Sequence, residues 1–247
     1  RSGIIYQSET FSKIKFKKPD QLTEEIIASK IAGDDNGFSY NTALSTDYDF
    51  YENYVNFDIN MISPIADNAF NYYKYKLEST FFDDKQQLIN KIKVIAKRDK
   101  EPVFEGYIYL VDDTWAIYAI ELDIKGYRMQ EPVLETMKLT QNFSYNSNTK
   151  SWAKNIQTLD FKAGIFGITF NGKFTHVFSN YDFDVAIDKK TFKNEVVKFA
   201  ENANKKENTF WTSTRPVPLT SEEETNYVRK DSIQTIRKSQ VYLDSID

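Results

Sequence analysis

The chain has no cysteine and only one histidine in 247 residues. The first absence excludes thiol catalysis, thiolate metal sites and disulfides, and is compatible with a reducing or an oxidising compartment. The second excludes a histidine-rich metal cluster. No Gly-rich loop is built to cradle phosphate, because Gly164-x-x-Gly167 falls within a strand pair, where glycine marks a bend or close packing. No Gly-x-Ser-x-Gly elbow is present to serve a serine nucleophile. No apolar run reaches the ~18 residues of a membrane-spanning helix. Arg1-Ser2-Gly3 leads at once into strand-like sequence and does not resemble a signal peptide, so the expectation is a cytosolic chain or one with a targeting segment upstream. With 32 basic against 36 acidic residues the formal charge is −4. That balance offers none of the broad positive field that a phosphate backbone requires, so nucleic acid is not expected as a partner.

What is plentiful is aromatic: 19 Phe and 16 Tyr, within a 40% hydrophobic composition, indicate a folded chain rich in strand formers. The clearest architecture spans residues 88–124. Ile92, Val94 and Ala96 alternate with Lys91, Lys93, Ile95 and Lys97, the period-2 pattern of a sheet with one wet face. A second strand sets Phe104, Gly106, Ile108 and Leu110 against Glu105, Tyr107, Tyr109 and Val111, and Asp112-Asp113-Thr114 leads tightly into a third. That third strand is apolar on both sides as far as Ile120, which predicts cover on both faces.

Elsewhere the pattern predicts a long strand over 4–17, ended by Lys18-Pro19, a short one over 25–32, and a hairpin turn at Asp34-Asp35-Asn36-Gly37. The Asp residues do not make an EF-hand calcium loop, which needs a Glu where the chain has Ala43. Tyr51, Tyr54 and Val55 recur at helical spacing. Ser63-Pro64 supplies an N-cap and first-turn proline for a second helix carrying Ile65, Ala69, Phe70 and Tyr73, so a helical insert is predicted over about 47–77. Strands resume from Tyr73, and four more are predicted over 138–145, 152–161, 165–170 and 173–182, with a turn at Asn171-Gly172. Past Asp188 an apolar stripe of Phe192, Val196, Phe199 and Ala203 predicts a helix. A last helix starts at Thr220 or Ser221, with Glu224 as capping partner of the latter, and carries Tyr227, Ile233, Ile236, Leu243 and Ile246.

Residues with chemical potential mostly sit where structure alone explains them. The Asp doublets 34/35, 83/84 and 112/113 all fall in turns. Glu78, Glu105 and Glu121 remain as strand carboxylates that a hydrolase could use if two were held about 5 to 10 Å apart. His176 lies on a strand beside Phe174 and Phe178. The aromatics are more suggestive. Tyr51, Tyr54, Phe57, Phe70 and Tyr73 on the insert, with Phe104, Ile108, Trp115 and Tyr118 on the strands, either line a cavity for an apolar ligand or fill the core.

Several motifs, in order, resemble a family. FSKIKFKKPDQLTEEIIASKIAG, DYDFYENYVNF, MISPIADNAFNYYKYKLE, PVFEGYIYLVDDTWAIYAIELDI, TQNFSY and RPVPLT look like the middle region of a Bacteroidota family of outer-membrane proteins of unknown function. The resemblance implies a periplasmic domain between a carboxypeptidase-regulatory-like β domain and a C-terminal membrane β-barrel. A looser similarity, carried by Lys17-Lys18-Pro19-Asp20 after an early strand and by the 88–124 block, is to the periplasmic lipoprotein carrier LolA and its relatives. It implies a curved half-barrel that holds acyl chains.

The fold expected is therefore mainly β (α+β): a large curved antiparallel sheet or half-barrel with helices on its concave side and C-terminal helices. Residues 1–188 form the β domain and 189–247 a helical connector towards a barrel. The function expected is non-enzymatic, with no cofactor and no metal: binding an apolar ligand such as an acyl chain or lipoprotein, or scaffolding an outer-membrane or periplasmic partner. A carbohydrate-binding module and a cryptic hydrolase are the alternatives.

Overall fold

A computed structural model describes residues 4, 6–18, 21–34, 42–43, 46–192 and 196–239. In chain order its elements are β1 (Ser8–Lys17), β2 (Gln21–Ile31), β3 (Tyr54–Asn56), β4 (Asn60–Ile62), β5 (Tyr73–Phe82), β6 (Leu88–Ala96), β7 (Glu105–Val111), β8 (Ile117–Lys125), β9 (Leu134–Asn146), β10 (Ser151–Ile165), β11 (Ile168–Val177), β12 (Val197–Phe199), α1 (Asn208–Thr214) and α2 (Ser221–Arg237). The protein is mainly β, with a large antiparallel sheet and C-terminal helices, as the alternation predicts. Pro19, the Asp35-Asn36-Gly37 turn, Leu243 and Ile246 lie outside the described residues.

The chain divides into two compact units, one of residues 1–47 and 185–247 and one of residues 48–184. This departs from a boundary at 188/189, and the reason is a strand pairing. Short β12 lies parallel to β2, Val197 opposite Glu24 and Phe199 opposite Ile26, so the early strands group with the C-terminal segment. Within that unit Arg215 grips both carboxylate oxygens of Glu9 at 2.5 and 2.7 Å, and Phe11 meets Phe210 edge-on. Among its described residues the stripe from Phe192 to Ala203 contains no α-helix. It folds as a 3₁₀ turn over Lys189–Phe192, β12 and a second 3₁₀ turn over Ala203–Lys205, because its backbone pairs with β2. α2 is capped by Thr220, the first of the two alternatives, which forms the reciprocal capping box with Glu223 in place of the Ser221/Glu224 pair.

The other unit is a seven-stranded meander in the order β11-β10-β9-β8-β7-β6-β5, antiparallel throughout. Register shifts at Leu77/Ser79, Tyr109/Leu110, Lys154/Ile156 and Lys162/Ala163 bend and twist its strands. The shift opposite Tyr109 resolves the doubly apolar third strand. It lets Ile117 and Ile120 both enter the core although they are an odd number of residues apart. Gly106 lies at φ +136° in β7, where a Cβ would stand 2.3 Å from the Glu121 carbonyl oxygen. Only glycine permits β7 and β8 to approach there.

The segment before β5 is where helical spacing misleads. Among its described residues it contains no α-helix: β3 and β4 make a small hairpin around Asp58 at φ +66°, and Ala69–Asn71 is a single 3₁₀ turn. Tertiary hydrogen bonds replace the helical ladder. The Ile62 N–H donates to the Pro102 carbonyl at 2.8 Å and the Ser63 N–H to the Asn53 carbonyl at 3.0 Å. The segment lies on the sheet's core face, where Phe50, Val55, Phe57 and Met61 join Val94, Phe104, Ile108, Ile120, Leu122 and Leu139 in one cluster. The helices expected on that face are thus an irregular apolar cover.

The cover's carbonyls must be satisfied away from water. Side chains do this: Tyr73 Oη donates to Ile62 O, Tyr75 Oη to Pro64 O at 2.7 Å, Ser63 Oγ to Phe50 O at 2.6 Å and Gln141 Nε2 to Tyr48 O at 2.7 Å. Tyr73 also accepts the Phe104 N–H at 3.1 Å, and it is 1% exposed. Removing its hydroxyl strands two buried backbone groups. Tyr73→Phe should therefore destabilise the protein by about 3 kcal/mol in urea unfolding, whereas Tyr75→Phe, half-buried with one bond to lose, should cost about 1 kcal/mol.

Candidate functional site

The nine aromatic and aliphatic residues singled out from the sequence separate into three groups. Phe57, Tyr73, Phe104 and Ile108 are buried, between 0% and 6% exposed, and belong to the filled core. Phe104 lies against Phe57 and Phe50, ring centroids 6.1 and 5.3 Å away. Tyr51, Tyr54, Phe70 and Trp115 are exposed on the surface. The Tyr51 hydroxyl accepts the Ile117 N–H at 2.8 Å, Phe70 packs edge-on against Tyr75, and Trp115 sits at φ +58° in the β7–β8 turn. Tyr118 is half-buried and meets Phe81 and Trp152 instead. No single cavity gathers the nine. The reason is geometric: a cover without helices spreads residues of helical spacing over opposite directions.

Tyr118 belongs to an array that helical and strand patterns did not single out. Tyr107 and Tyr109 lie on the face of β7 opposite Ile108 and Leu110, and Phe81 contacts both Tyr109 and Tyr118. Trp152 continues the row to Tyr145. Lys91 Nζ lies 4.2 Å from the Tyr107 ring centroid, and Tyr109 Oη donates to Glu121 at 3.2 Å. The rings of Phe81, Tyr109, Tyr118 and Trp152 meet at 69° to 77°, edge to face, so they pack on one another rather than forming a coplanar stacking platform.

Two open grooves lie on this unit, and none of the nine predicted residues lines either. One, of about 450 Å³, runs beside a cross-strand ladder of alternating charge, Asp123, Lys138, Asp160 and Lys173. The other, of about 570 Å³, is bordered by Asn60, Lys100, Tyr127 and Arg128. Arg128 is buried, and its guanidinium donates to the carbonyls of Asp99 and Val103 and to the Asp99 carboxylate, with Glu105 3.2 Å away. The Tyr127 hydroxyl, followed by Arg128 and Lys125, holds the Asp99 carboxyl at about 2. This cluster fastens the loop before β7 to the 3₁₀ turn after β8.

The strand carboxylates are all engaged. Glu78 pairs with Lys76, Glu105 with Lys125 and Arg128, and Glu121 with Tyr109. Among the described residues no group of three or more His, Asp or Glu side chains is placed to hold a metal ion. His176 lies opposite Gln157 in the β10–β11 ladder, and Gln157 lies opposite Gln141 in β9. Gln141 Nε2 donates to Gln157 Oε1 at 2.7 Å, and both glutamines are fully buried. Their places were visible in the sequence as polar residues at core-face positions beside Leu139 and Leu159. Gln141 Oε1 and His176 Nδ1 have no partner among the described residues.

Residues 1–181 match a family described as a family of unknown function (DUF5686). The chain belongs to that family. The DUF5686 match takes in β1 to β11 and stops before β12 and both α-helices. Comparison with curated proteins found no match, and comparison with solved structures found none either.

Burial, reinforced by the positive charge of Lys154, pushes the His176 imidazole down from 6.5 to about 4. The unfolded chain thus takes up this proton near pH 6.5 and the folded chain only near pH 4. Stability from the neutral imidazole is complete above pH 6.5 and declines as the pH falls towards 4. Urea midpoints measured from pH 7 to pH 4 should fall in that window, and His176→Gln should flatten the fall.

Proposed function

We propose that this DUF5686 chain is a non-enzymatic periplasmic scaffold of an outer-membrane protein, one that docks a protein partner rather than carrying an apolar ligand inside. The observation that carries this reading is the closed packing of Phe57, Tyr73, Phe104 and Ile108. A carrier needs free volume where these rings and methyl groups interdigitate. A scaffold needs a rigid sheet with an accessible second face. The row of Phe81, Tyr109, Tyr118 and Trp152 gives that face the amphipathic rings that protein interfaces favour, rimmed by Lys91 and Glu121. The periplasmic and outer-membrane setting in Bacteroidota rests on the motif resemblance, and the similarity to LolA weighs for the shape of the sheet rather than for acyl carriage. The edge-to-face rings weigh against carbohydrate stacking, and the paired state of Glu78, Glu105 and Glu121 weighs against hydrolysis.

The reading is tested by engineering the missing space. Phe104→Ala should open a cavity and destabilise the protein by about 3–5 kcal/mol. A fluorescent fatty acid should bind this variant and leave the wild type unlabelled. Native mass spectrometry of the wild type purified from a periplasmic extract should give the bare chain mass. A wild-type chain that retains an acyl chain, or binds the probe as well as the variant, would restore the carrier reading.

A further inference from the structure

The sequence places a turn signal at Asn171-Gly172, yet the chain runs straight through it. The β10–β11 hairpin turns at Phe166-Gly167, between the paired residues Ile165 and Ile168. Both turn residues have positive φ, +50° at Phe166 and +80° at Gly167. That is the conformation of a type I′ turn, whose first position favours Asn or Asp and penalises a bulky aromatic. The Phe166 side chain is 100% exposed, Ile168 70% and Ile165 43%. Phe166 is thus unfavourable for the turn and recovers nothing by burial, so the fold gives no reason for it. An outlier of this kind points to function.

The form of the tip selects its ligand. Residues 163–170, AGIFGITF, carry no charge, and the tip backbone is closed by its own pairing of Ile165 with Ile168. Such an end can enter an apolar medium without bringing unpaired donors or acceptors with it. The three residues of β10 between Lys162 and the turn span about 10 Å, the depth at which interfacial segments settle. Lys162, paired with Glu135 at 2.6 Å, stands at the foot with a stem long enough to keep its charge at the headgroups. Val133, whose carbonyl accepts the Gly164 N–H at 2.9 Å, adds a further exposed apolar group beside the hairpin. The chain leaves β8 and approaches β5 at the same end of the meander, where the rings of Tyr127 and Phe70 are also exposed. The tip is convex, which suits a fluid lipid interface better than a shaped protein pocket.

We infer that the β10–β11 tip, through Phe166, Ile165 and Ile168, inserts into the interfacial layer of a lipid bilayer. The tip has no cationic crown, so the interaction is apolar and its strength is nearly independent of salt and of anionic lipid. The test is flotation of the full chain with phosphatidylcholine vesicles, and with vesicles containing phosphatidylglycerol, at about millimolar lipid. Wild type should partition equally onto both. Phe166→Asn should reduce partitioning by about ten-fold or more, while its melting temperature stays the same or rises, since Asn suits the turn. Phe166→Trp should add a lipid-dependent blue-shifted emission that shallow brominated acyl chains quench. Failure of the wild type to float, or equal flotation of Phe166→Asn, would overturn the inference. So would a Phe166-dependent self-association in the absence of lipid, which would assign the tip to a protein contact. None of these results bears on whether the core of the same unit is closed.

Discussion

The meander depends on covering one apolar sheet face with a segment that has no helix or broad sheet of its own. Irregular backbone at a core carries carbonyls and N–H groups that regular elements would satisfy by themselves, and each one left buried and unpaired costs on the order of 1–3 kcal/mol. Here the sheet supplies the partners. Tyr73 and Tyr75 of β5 and Gln141 of β9 reach to carbonyls of the cover, and Arg128 does the same for the loop at Val103. Buried Ser63 and Gln141 are thereby explained as consequences of the cover, each bonding one of its carbonyls. They are structural before they are chemical, and the same reasoning applies to Tyr73, whose hydroxyl is held well above its ordinary pKa mainly by burial.

This dependence separates what could be read in the sequence from what could not. Strand alternation is local, so the three strands from residue 88 to residue 124 stand where the period-2 pattern puts them. The cover was illegible because three- and four-residue aromatic spacing is also produced by a chain that loops back on itself. Tyr51 and Val55, which a helix would align, reach different surroundings because Tyr51 lies in the exposed turn before β3 while Val55 points into the core from within it. The partition of the candidate residues follows: Phe57 and Phe104 were brought together by a hairpin that no spacing announced. Gln141 and Gln157 had a signal, a polar residue at each of two core-face positions, and its meaning needed the carbonyl of Tyr48 to be in place.

The β10–β11 hairpin shows a different limit of sequence reading. Moving its turn from Phe166-Gly167 to Asn171-Gly172 would shift every cross-strand partner by ten residues, an even number, so each side chain would keep its face. Alternation cannot distinguish the two registers. Packing can: in the observed register Phe161 lies over Gly172, and a Cβ there would stand 2.1 Å from the end of the Phe161 ring. The glycine that reads as a turn residue is needed as open space beneath a ring, and Phe161 in turn stacks on Phe174 with centroids 5.8 Å apart. With Gly172 committed to the strand, the turn falls to the next glycine, Gly167, and the residue before it must accept positive φ. That position could have been asparagine at no cost to the sheet. Its being phenylalanine, fully exposed, is a choice that neither register nor core packing dictates, and it makes the end of this hairpin the place where the demands of folding stop and those of an outside surface begin.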